Sequence, residues 1–195
     1  MNVTTDPLTL LSAALDQTGA IIVGIRDDQQ HLPTPCRSWD VTELVAHLVQ
    51  DLKQFTERAS GGTPDWTAPV AAVEGDPVDA YRAGARGLLQ AWGAAGDLSG
   101  TAPVPGMGEV AKRFPVDLQI AELAVHGWDL AVATGQSSDL DPEVAEAALA
   151  WGRTALRPQF RGGEDEGKAF GPEVDLPADA PLYDRLAAFF GHRAG

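Results

Sequence analysis

Three times this chain reads Asp-Pro just before a run with apolar residues at helical spacing: at Asp6-Pro7, Asp76-Pro77 and Asp141-Pro142. The dipeptide leaves little freedom. The aspartate carboxylate can take up the unpaired N–H groups of a first helical turn, and proline suits the first helical position, where no N–H is needed. After Pro7, residues Leu8, Leu11, Leu15, Ile22 and Ile25 recur at the helical period, which predicts a helix over 7–25. Pro77 opens a third predicted helix, 77–96, and Pro142 a fifth, 142–156, stopped by Pro158. The second lacks proline but has a capping box, Asp40-Val-Thr-Glu43, and runs to Ser60-Gly61-Gly62. The fourth spans 115–134, between Pro115 and Gly135, and a short last one, 180–190, stops at Gly191.

Strand signals are weak. Alternation of period two is confined to 66–73 and to 100–111, where an irregular or short hairpin connection is expected. The reading is therefore all-α: a four-helix bundle over about residues 6–135 and two additional C-terminal helices over about 136–195. A length of 195 residues suits one domain, 1–195. The acidic patch Glu164-Asp165-Glu166 reads as a solvated loop.

Charge and cysteine content narrow the function classes. Acidic residues outnumber basic ones 28 to 14, a net charge of −14 that repels nucleic acid and anionic membrane surfaces. No apolar run approaches the roughly 20 residues that span a bilayer. No basic segment precedes the first apolar residues, so no secretory signal is expected. Cys36 is the only cysteine, which rules out an intrachain disulfide and a four-thiolate metal site. A reducing cytoplasm is the expected location.

The fourth helix carries the chemistry. Val116, Leu118, Ile120, Leu123, Val125, Leu130 and Val132 lie nearly all round it, the mark of a buried helix. Yet Gln119, Glu122, His126 and Asp129 form one polar stripe. A carboxylate in such a helix needs a partner or a cation. Glu122 and His126 stand one turn apart, a spacing at which two side chains can reach one metal ion. A hydrogen-bonded pair is the competing reading. His47, at the edge of the second helix's apolar stripe, reads by itself as a satisfied interior or edge histidine, with a third ligand from a facing helix as the alternative. Three protein ligands leave a coordination position open, as in catalytic zinc sites.

Other candidates have bland readings. His31 and His192 read as surface residues, and Cys36 as a small buried apolar residue. Asp129 reads as a cap or surface ion pair, with a role orienting a ligand as the alternative. Trp39, Trp128 and Trp151 read as core or helix-end packing, with a pocket wall as the alternative.

The segments TPCRSWDVTELVAHL (34–48) and AELAVHGWDLAVATGQ (121–136) resemble the N-terminal domain of mycothiol-dependent maleylpyruvate isomerases and related small actinobacterial metal-binding proteins of the DinB-like superfamily. The tail FGPEVDLPADAPLYDRLAAFFGHR (170–193) resembles the ending of the smaller relatives. The resemblance implies a DinB-like bundle holding a divalent metal through His47, Glu122 and His126, with zinc expected ahead of nickel. It also implies mycothiol as a co-substrate, and so a metal- and thiol-dependent transferase or isomerase acting on a small electrophile. The chain departs from the isomerase after residue 140, where two helices and loops stand in place of a separate C-terminal domain. Maleylpyruvate itself is not the expected substrate. A non-catalytic metal or small-molecule binding module is the alternative, and an iron(II) oxygenase ranks lower. The expected partner is a small-molecule substrate or thiol, with a homodimer left open.

Overall fold

The computed structural model describes residues 6–104, 108–162, 168 and 170–193. The acidic patch Glu164-Asp165-Glu166 lies outside them. In chain order come α1 (Pro7–Val23), α2 (Val41–Ala59), α3 (Pro77–Ala94), strands β1 (Thr101–Val104) and β2 (Gly108–Ala111), then α4 (Phe114–Thr134), α5 (Pro142–Ala155) and α6 (Leu182–Phe190). The fold is all-α, with a four-helix core and two additional C-terminal helices. Among the described residues it departs from this in the antiparallel pair β1–β2, in register Thr101↔Ala111. Residues 66–73 form no strand.

Each Asp-Pro start behaves as its chemistry requires. Asp6 accepts from the Thr9 N–H, Asp76 from the Asp79 N–H and Asp141 from the Glu143 N–H. The capping box of α2 is reciprocal, with the Glu43 N–H donating to Asp40 and the Asp40 N–H to Glu43, both at 2.9 Å. Gly135 and Gly191 close α4 and α6 in the left-handed conformation, at φ 67° and 95°. That conformation disfavours a side chain.

The core helices pack in the ring α1–α3–α2–α4, which leaves α1 and α2 on a diagonal. The connection between them crosses one end of the bundle. There the Gln29 amide donates to the Thr134 carbonyl at 2.7 Å, tying the crossing to the end of α4. Helix α4 also packs against α5 and α6, so neighbours surround it, and Leu123, Ala124, Leu130 and Ala131 are buried completely or nearly so. Against α1 the approach is close. The Thr18 hydroxyl donates to the Leu123 carbonyl at 3.0 Å, and a Cβ on Gly127 would lie 2.9 Å from that same hydroxyl. Contact with α2 places the polar residues of α4 opposite His47.

Candidate metal centre

The three predicted ligands meet. One ligating atom each from His47, Glu122 and His126 falls within 4.8 Å of the others. The His126 Nε2 and a Glu122 oxygen are 3.3 Å apart, and the His47 and His126 rings stand edge to face with centroids 5.2 Å apart. Ion–ligand bonds of ~2 Å place tetrahedral ligands roughly 3.4 Å from one another. The 3.3 Å pair matches that spacing, and the other separations, within 4.8 Å, exceed it by little more than 1 Å at most. Two imidazoles and one carboxylate suit a borderline divalent cation such as zinc.

Neighbouring residues fix the rings. Trp39, from the loop before α2, stacks on His47 at 4.1 Å between centroids and 19° between planes. It thus forms a wall of the site. Behind His126 lies Asp129, whose carboxylate sits 2.9 Å from the His126 Nδ1. If Nδ1 donates to that carboxylate, the Nε2 lone pair is left facing Glu122 and His47, as a ligand requires. Asp129 is wholly buried, which replaces the expectation of a surface cap or ion pair. His192 is corrected as well. Its Nδ1 lies 2.9 Å from both Asp129 oxygens, and its side chain is mostly buried. Cys36 is half-buried rather than a core residue. Its sulfur groups with His126, Asp129 and His192 in a second set of donor atoms, all within 4.8 Å of one another.

The electrostatics follow from this crowding. Burial pushes the His47 imidazole down to about 4, with the nearby His126 charge adding to the effect, so His47 is neutral as a metal ligand must be. Burial also works against charge on His126, but the Asp129 and Glu122 carboxylates outweigh it and raise its pKa well above the usual value. Glu122 is the converse: burial raises it, and the hydrogen bond and charge of His126 bring it below its ordinary value. Burial and the Glu122 charge push Asp51 up to about 7. Desolvation raises the Cys36 thiol.

Sequence reasoning missed three neighbours. Asp51 Oδ2 is 3.6 Å from His47 Nε2. Its signal was present, since His47 and Asp51 are spaced like Glu122 and His126 in reverse order. His192 and Cys36 had no such signal, because the fold alone brings them to α4. Gln119 leaves the stripe. It is buried, has no hydrogen-bond partner among the described residues for either amide atom, and does not line the cavity in front of Glu122 and His126. His31 is exposed and bonds Asp40, as a surface residue would. Trp128 packs in the core and donates to Asp184 at 2.9 Å, and Trp151 packs edge to face on Phe114.

An all-α bundle with a two-histidine, one-carboxylate donor set between two of its helices is the class defined so far. The Mycothiol maleylpyruvate isomerase N-terminal domain family matches residues 11–131, and the chain belongs to that DinB-like family. Two relatives, uncharacterized proteins from the CDC 1551 and H37Rv strains of Mycobacterium tuberculosis, are each 38% identical over 186 residues. The match covers 95% of this chain and 97% of theirs. No solved structure matches significantly. No helix among the described residues is long and apolar enough to cross a membrane.

Proposed function

We propose that the chain binds one divalent ion, zinc in preference to nickel, through His47, Glu122 and His126, and that it is a thiol-dependent transferase or isomerase acting on a small electrophile. The observation that carries the reading is the convergence of those three donors from α2 and α4 at the wall of a cavity of about 1300 Å³. A bound divalent ion supplies Lewis acidity and favours the thiolate form of a thiol that reaches it. The chain's own residues do the rest. Trp39 and Asp129 hold the two imidazoles in place, and the cavity leaves room for both reactants. In a transfer, the thiol gives its proton to water and its sulfur forms a bond to carbon, while the leaving group departs with its electron pair. In an isomerisation, the thiolate adds to a conjugated double bond, rotation follows, and the same thiolate leaves.

Mycothiol is the thiol that the family's name supplies, and a cytoplasmic setting belongs to the same reading. The test is turnover of an electrophile panel with mycothiol by zinc- or nickel-loaded protein. Turnover that disappears in His126→Ala is expected. Silence across the panel with metal bound would favour a binding module instead.

A further inference from the structure

The cavity is not uniform along its length. On α2 its wall includes His47, Asp51 and Phe55, one turn apart in succession, and on α4 it includes His126, Glu122 and Leu118. His47 meets His126 edge to face, and the connection that leads into α2 is bonded at Gln29 to the Thr134 carbonyl at the end of α4. The two helices therefore run antiparallel along the cavity, and the next step in the same register brings Phe55 and Leu118 to one level. Two polar levels give way to an apolar one. Eight residues separate His47 from Phe55, which is about 12 Å along the helix axis.

Trp66 completes that apolar end. Its ring stands edge to face on Phe55 with centroids 4.9 Å apart, yet the residue is 52% exposed. A tryptophan left half in water gives up much of its burial energy. The loop that carries it is held by two glutamines of α2. The Gln54 amide donates to the Asp65 carbonyl at 2.7 Å, and the Gln50 amide to the Ala68 carbonyl at 3.2 Å. The Ala71 N–H donates back to Gln50 at 3.1 Å. These bonds fix the loop on the helix face that carries His47, so the exposed ring is held at the cavity rather than free at the surface.

Resting on the metal reading above, we infer that the Phe55–Trp66 end binds an apolar group of the substrate, aromatic or aliphatic, whose polar head reaches the metal centre about 12 Å away. The substrate class is thus an elongated amphipathic small molecule. Continuity of this end with the metal centre in one cavity identifies a small molecule, rather than a protein, as the occupant.

The experiment uses zinc-loaded full-length protein and two hydroxamic acids with the same metal-binding head, acetohydroxamic acid and phenylhexanohydroxamic acid. Calorimetry is expected to show the phenylhexyl compound binding roughly tenfold tighter or more. In Trp66→Ala that gain falls below about threefold, while acetohydroxamic acid binds as in wild type. Helical circular dichroism checks that the variant is folded, and Trp66→Leu, which keeps an apolar side chain, retains part of the gain. An equal tail gain in wild type and Trp66→Ala, or no gain in wild type, overturns the inference and leaves the metal reading intact. Phenylhexanol, which has no metal-binding head, separates the two claims. If zinc fails to bind but phenylhexanol binds in a Trp66-dependent way, the metal reading falls and the apolar site stands.

Discussion

Asp129 shows how much one buried side chain can organise. It lies within hydrogen-bond distance of two imidazoles, those of His126 and His192, and is closed off from water. A carboxylate that orients a metal-ligating histidine commonly governs affinity by ten- to a hundredfold. His192→Ala, which removes one of its two partners, is expected to weaken zinc binding by about tenfold and leave the fold intact. Competition with a chromophoric chelator measures this, and unchanged affinity would show that the tail histidine plays no part. Gln119 is the opposite case, a buried amide with nothing to bond among the described residues. Gln119→Met keeps the length and removes the unmet groups, so urea unfolding should show a gain of about 1 kcal/mol. At this scale, local spacing made Glu122 and His126 legible because both lie on one helix. It misjudged Gln119, which shares their stripe on the wheel yet is turned away from the cavity. His192 was illegible because only the fold carries it to α4.

Helices were the most legible elements, since their starts are chemical signatures. The capping box Asp40–Glu43 begins α2 only a few residues before His47, so it helps to place a proposed ligand. Asp40→Ala is expected to cost about 1 kcal/mol near neutral pH. Slight burial raises the Asp40 carboxyl, but hydrogen bonds from the Glu43 N–H and from His31 outweigh that and hold it below its ordinary 3.8. A lowered folded-state pKa means that the contribution is present above 3.8 and is lost as pH falls through the still lower folded value. The stability difference between Asp40→Ala and wild type should shrink in that acidic range, which denaturant titrations at several pH values would show. The α1–α4 contact gives another expectation. Gly127→Ala improves helix propensity, but its methyl would meet the Thr18 hydroxyl at 2.9 Å. A net loss of about 1–3 kcal/mol is expected, partly recovered by adding Thr18→Ala. A stabilised single variant would contradict the close approach. Sequence could not disclose this contact, because a helix-interior glycine carries no label for the neighbour it admits.

For the whole molecule, sequence pattern supplied the number of helices but not their arrangement. No period or cap indicates that α1 and α2 lie on a diagonal, or that α5 and α6 enclose the far side of α4. The all-round apolarity of α4 was the trace of that enclosure, and its buried Trp128 bonds Asp184 of α6. The donor set between α2 and α4 depends on this arrangement, since each helix alone offers at most two of the three ligands. The most direct measurement is zinc binding to the full chain by calorimetry, with His47→Ala and His126→Ala beside wild type. One ion per chain is predicted, with affinity reduced at least about a hundredfold in each variant, as expected when a ligand and its share of the coordination energy are removed. Wild-type affinity retained in both variants would contradict a metal held between the two helices.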